Sequence, residues 1–258
     1  MRIRTDRKTR RRLSSAVVVG AALVATGGLW SFLAPSGVAE GSADQQKLVA
    51  EGRALYLQGC SSCHGLSAEG GNQAPSLIGV GAAAVDFQLS SGRMPLAQPG
   101  PQAQRKQTAY TADQTAALAA YVGSLAPGPA IPKVDLNDGD LQLGRLLFAN
   151  NCAQCHNFAG AGGALSGGKS APNIKHATPL QAAEAIRTGP ESMPVFGPGQ
   201  FDSHALNSIV KYVNYLKTPK DPGGAAIGHV GPVPEGLVIW LVGVGGLLIA
   251  ALWIGARA

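Results

Sequence analysis

Two long apolar runs stand near the ends of the chain, and between them apolar residues recur at helical spacing. Ala16 to Leu33 is almost unbroken apolar sequence, and Gly236 to Ile254 is a second such run. At about 1.5 Å per residue, each nearly spans a hydrocarbon core of about 30 Å. Trp30 marks the outer end of the first, and Trp240 and Trp253 bracket the second, as interfacial aromatics do. A buried core helix is the competing reading, but no domain between the runs is large enough to hide them. The pattern therefore predicts transmembrane helices at 14–34 and 235–256.

The region between the runs repeats with an offset of about 92 residues. Gly52-Arg53-Ala54-Leu55-Tyr56 has its counterpart in Gly144-Arg145-Leu146-Leu147-Phe148. Ala74-Pro75-Ser76-Leu77 matches Ala171-Pro172-Asn173-Ile174, and Met94-Pro95 matches Met193-Pro194. Each half closes on a helix-like run, Leu118 to Val122 and Ile209 to Val213. Val49, Leu55 and Leu57 give a rough apolar stripe for the first opening helix, and Leu141, Leu143, Leu146 and Leu147 give a better one for the second. Gly52 and Gly144 would let another helix approach closely. Thr111 with Asp113, Asp202 with Ser203, and Thr178 before Pro179 read as helix starts. Tyr56, Phe148, Tyr121 and Tyr212 read as packing residues. Pro/Gly-rich linkers follow each half, at 128–135 and 219–234, and 35–43 precedes the first.

All four cysteines of the chain lie in two Cys-x-x-Cys-His motifs, Cys60-Ser61-Ser62-Cys63-His64 and Cys152-Ala153-Gln154-Cys155-His156. That pattern reads as covalent attachment of haem c, two thiols bonding the vinyl groups of one haem edge and the histidine ligating its iron. A structural zinc needs four ligands, and each motif offers three. A thioredoxin-like pair would want a βαβ context. Disulfides would leave the histidine after each pair unexplained. Apart from the initiator, the chain's methionines are Met94 and Met193, each in a Met-Pro pair downstream of a motif. The repeat makes them candidate far-side iron ligands, with core filling as the alternative. His176, His204 and His229 are substitutes that would lower the potential, unless they are ordinary solvated histidines.

This order of elements resembles the class I cytochrome c family over residues 44–127 and 136–218. The resemblance implies an all-α fold in which each domain has an opening helix, the haem motif, a loop, a short helix, a methionine ligand and a closing helix. It implies two covalent haems, held by Cys60 and Cys63 and by Cys152 and Cys155, with iron ligated axially by His64 and Met94 and by His156 and Met193. It further implies that the Pro75 and Pro172 carbonyls accept the N–H of the histidine rings.

Formal charge is +6, but its placement matters more than its sum. Residues 1–13 hold seven basic residues and one acid, whereas segment 35–234 holds 13 basic and 13 acidic residues. The basic excess is therefore a membrane-flanking tail, not a nucleic-acid surface. By the positive-inside rule the tail lies in the cytoplasm, and both haem domains stand outside a cell membrane crossed twice. A cleaved signal peptide competes for the first run, with Gly37-Val38-Ala39 as a weak cleavage site. Arg10-Arg11-Arg12 hints at a twin-arginine signal, which fits poorly with a chain that acquires its haem outside.

Taken whole, the layout resembles the dihaem cytochrome c subunits of actinobacterial cytochrome bc complexes. That resemblance implies a partner set: cytochrome b and a Rieske iron–sulfur protein in a menaquinol-oxidising complex, and a haem–copper terminal oxidase as acceptor. The chain would then be an electron-transfer subunit of a quinol–cytochrome c oxidoreductase with no substrate-converting site of its own. A membrane-tethered dihaem subunit of an exported dehydrogenase is the alternative. A haem-based sensor would need an open iron position, against which Met94 and Met193 argue.

Overall fold

The structure, a computed structural model, describes residues 7–33, 43–98, 100–220, 227–228 and 232–257. The Gly37-Val38-Ala39 stretch, His229 and most of the two linkers flanking the paired domains lie outside the described residues. In chain order the helices are α1 (Arg7–Leu33), α2 (Ala43–Gly59), the one-turn α3 (Ser61–His64), α4 (Gly81–Ser90), α5 (Ala112–Leu125), α6 (Leu141–Asn151), the one-turn α7 (Ala153–His156), α8 (Pro179–Thr188), α9 (Ser203–Tyr215) and α10 (Pro232–Gly255). Between α7 and α8 one hairpin, β1 (Gly163–Ala164) with β2 (Ser170–Ala171), pairs Gly163 with Ala171. The fold is all-α as expected, with this hairpin as an addition.

The sequence-marked helix starts form as hydrogen-bonded caps. Thr111 and Thr178 each close a capping box, with Gln114 and Gln181 at the third helical position, and Pro179 occupies the first turn of α8. Asp202 accepts from the Ala205 N–H at 2.8 Å. Asp140, not singled out from sequence, does the same for Leu143 at the start of α6.

Each half is built around one helix crossing, and the crossing explains the repeated glycine. A Cβ on Gly52 would fall 1.9 Å from the Ala117 carbonyl oxygen of α5, and one on Gly144 would fall 2.0 Å from that of Ser208 on α9. One turn on, Tyr56 meets Tyr121 and Phe148 meets Tyr212, with ring centroids 5.3 Å apart and planes tilted in both pairs. Ala68, Leu89, Leu118 and Val122 complete the first core. The second core is larger, adding Ile186, Phe196, Phe201, Leu206, Ile209 and Val210.

The halves pack on each other through α4 and α8. Gln181 of α8 donates to the Ser90 hydroxyl at 3.1 Å and accepts from Arg105. Gln102 brackets the backbone of Ser170 in β2, donating to its carbonyl at 2.8 Å and accepting from its N–H at 3.0 Å. The Ala103 N–H donates to the Glu191 carboxylate at 2.7 Å. Residues 128–135 also lie against the domains, with the Ala83 N–H donating to the Pro129 carbonyl and the Asp135 N–H to the Asn207 side chain.

Among the described residues one helical segment, the 23-residue Val233–Gly255, is long and apolar enough to cross a membrane. None of it is buried in the protein, which sets aside the core-helix reading for the second run. In the N-terminal unit, Met1–Ala43, the described apolar stretch of α1 is the shorter Ser15–Leu29.

Candidate haem sites

The first motif begins where α2 ends. The Cys63 and His64 N–H groups both donate to the Cys60 carbonyl, at 3.2 and 3.0 Å. The second is its copy, with Cys155 and His156 donating to the Cys152 carbonyl at 3.2 and 2.9 Å. Residues three and four apart in such a turn share a face, so each turn presents two thiols and one imidazole together. All four thiols are unpaired.

Both histidines are oriented by the expected carbonyls. His64 Nδ1 lies 2.8 Å from the Pro75 oxygen and His156 Nδ1 lies 3.0 Å from that of Pro172. A carbonyl only accepts, so Nδ1 carries the hydrogen and Nε2 keeps its lone pair, the form that binds a metal. The connecting loops differ in length, spanning 11 positions in the first half and 16 in the second. They converge through one equivalent turn, in which Gly70 N–H donates to the His64 carbonyl and Gly162 N–H to that of His156. Both glycines have positive φ, +81° and +86°. A Cβ on either would fall 2.4 Å from backbone of the proline segment, so only glycine lets that segment reach the ring.

Met94 packs on the same core cluster as Cys60, and Met193 on the same cluster as Cys152. Two cations hold the methionine loops. Lys106 Nζ donates to the carbonyls of Gly92, Arg93 and Pro95 around Met94. Arg187 donates to the carbonyls of Phe196 at 3.0 Å and Phe201 at 2.7 Å, beyond Met193. Neither cation carried a sequence signal, because each acts through carbonyls distant along the chain. The Met94–Pro95 peptide bond is cis.

Burial shifts the ionisable groups of the sites. It pushes the Cys60 thiol up, and with Cys155 nearby it pushes Cys152 up to about 11. It lowers His156, against the raising effect of the Pro172 carbonyl, and so favours the neutral imidazole. Tyr56, whose hydroxyl donates to the Gly65 carbonyl at 2.7 Å, is pushed up to about 12, chiefly by burial.

The donor set fits haem c: two free thiols, an oriented imidazole and a thioether on the same core, twice over. The apolar surroundings fit as well. Two residues beyond each histidine and each methionine stands an exposed apolar side chain, Leu66 and Leu96 in the first half, Phe158 and Val195 in the second. A flat apolar macrocycle would cover such residues. The sequence shows this recurrence too, but without exposure it reads as ordinary core. His204 lies 3.6 Å from Asp138, away from the motif, and His176 is exposed in a 3-10 turn.

Two cytochrome c domains in tandem, followed by an apolar helix, define the chain as a membrane-anchored cytochrome c. Residues 49–126 match the family described as cytochrome c, and residues 139–213 match that described as cytochrome C oxidase, cbb3-type, subunit III. A cytochrome bc1 complex cytochrome c subunit of Mycobacterium tuberculosis is 42% identical over 99% of this chain and 95% of its own length. One from Corynebacterium diphtheriae is 39% identical over 100% and 98%. A cbb3-type cytochrome c oxidase subunit FixP of Sinorhizobium medicae shares 29% over 52% of the chain. The chain belongs to the family of cytochrome c subunits of the cytochrome bc1 complex. Its role is electron transfer within a quinol–cytochrome c reductase, and the exported-dehydrogenase alternative finds no support in these relatives.

Proposed function

We propose that the chain carries two haems c and relays electrons from the Rieske protein of a bc complex to a haem–copper terminal oxidase. Haem c supplies a one-electron couple when bound. Cys60 and Cys63, and Cys152 and Cys155, would be the attachment thiols; His64 with Met94, and His156 with Met193, would ligate the iron. The carbonyls of Pro75 and Pro172 hold each imidazole in the ligating tautomer. A thioether and an imidazole on one iron would favour its reduced state and a higher potential. The observation that carries this reading is the duplicated histidine–proline bond beneath duplicated thiol pairs.

Domains 44–127 and 136–218 lie outside the cell membrane, between spans at 14–34 and 235–256, with the basic tail 1–13 in the cytoplasm. Both anchors keep the pair near integral-membrane partners, which suits a relay better than a diffusing shuttle. The complex extracted in mild detergent tests the partner set: cytochrome b, a Rieske protein and an oxidase are expected to co-purify with the chain. A preparation lacking the first two refutes it. Met193→His is expected to lower the potential of the second haem; an unchanged potential removes Met193 as a ligand.

A further inference from the structure

Glu184 sits on α8, the helix that meets α4, with its side chain wholly out of solvent; no N–H or hydroxyl donor reaches either carboxyl oxygen, and the group within hydrogen-bonding reach is the Asp86 carboxyl. An ionised carboxylate needs a cation or several donors in such a place. No cation is among the groups that act on Glu184. Arg105 ends on Gln181, Arg93 lies over the Phe87 ring at 4.8 Å with its Nη1 unpartnered, Lys106 serves the Met94 loop and Arg187 serves the carbonyls beyond Met193. On α9, packed against α8, His204 faces Asp138 and Lys211 donates to the Gly139 carbonyl. Of the acids, Glu191 accepts from Ala103. The charged group whose field reaches Glu184 is another acid, Asp86 of α4.

Two carboxyls so placed are relieved by a single shared proton. We propose that Glu184 is a neutral carboxylic acid sharing its proton with Asp86, and that this acid pair is a positioning device fixing the first domain against the second. Burial first, then Asp86, pushes the Glu184 carboxyl up to about 9. Asp86 also lines an open cleft of about 350 Å³ with Ser90, Thr108, Tyr110 and Thr115, which puts the pair within reach of water. The consequence for electron relay rests on the proposed function, since only haem-bearing domains need a fixed separation. The acid pair itself does not.

The test uses the full-length, haem-loaded chain in ester-free detergent, reduced so that low-spin iron is diamagnetic. Spin labels are placed through Glu51→Cys and Arg145→Cys, one exposed site on each domain, and their separation is read by pulsed dipolar spectroscopy. One narrow distance is expected at neutral pH, broadening or shifting as the pH passes the Glu184 range, while Glu184→Gln stays narrow throughout. The infrared spectrum at neutral pH is expected to hold a protonated-carboxyl band that Glu184→Gln removes. A wild-type distance indifferent to pH, or an identical change in Glu184→Gln, overturns the proposal. If Glu184→Gln does not accumulate, the wild-type band decides: its absence at neutral pH overturns the proposal, and its loss near pH 9 supports it. The infrared band does not depend on haem content or ligation, so a wrong haem assignment and a wrong acid pair fail separately.

Discussion

At Gly144 the backbone of α9 leaves no space for even a methyl group, and the same is true of α5 at Gly52. Gly144→Ala must push two helices apart, and the cost is expected to reach at least about 3 kcal/mol, the upper range for overpacked cores. Chemical denaturation of the haem-loaded chain measures it; a loss below about 1 kcal/mol would mean that the crossing yields. Glu184 makes a prediction with a definite sign. Its carboxyl is raised from 4.5 to about 9 in the fold, so the folded chain holds a proton that the unfolded chain releases. Stability from this group is complete below the unfolded value and falls as pH rises between the two. The slope is up to about 1.4 kcal/mol per pH unit. Glu184→Gln should remove that slope in unfolding curves taken across this range.

At the scale of elements, what repeats was legible and what differs was not. The glycine of each opening helix, the haem motif, the proline and the methionine recur in one order, so α2 and α6, and α5 and α9, could each be read twice, while the one-turn helices α3 and α7 within the motifs carried no signal of their own. Caps at Thr111, Thr178 and Asp202 were legible because a cap is a local bond between near neighbours. The hairpin β1–β2 and the 95–109 segment were not, since each belongs to one half alone and neither has a helical period. Glu184 was hidden for another reason: one acid on a helix reads as a solvated face until α4 is seen to cover it. The two unrepeated segments meet at Gln102, whose amide brackets Ser170 like a neighbouring strand. Gln102→Ala should speed amide exchange at Ser170 while leaving the denaturation midpoint nearly unchanged. Unaltered exchange there would show that the hairpin holds without the first domain.

At the scale of the whole molecule, the charge balance, the terminal apolar helix and the family relationship point one way: two small cores set against each other and tethered beside a membrane. Each core is small for an independent domain, and a covalent macrocycle would act as a staple within it. The domain contact made by α4, α8 and the Gln102 bracket makes the pair more than two beads on a linker. What the proposed relay needs above all is one haem per domain. The most direct measurement is therefore the haem-to-polypeptide ratio of the purified full-length chain, alongside Cys152→Ser with Cys155→Ser. Two covalent haems in the native chain and one in the variant are the expected result. A native ratio of one, or a variant that keeps both, would contradict the duplicated site.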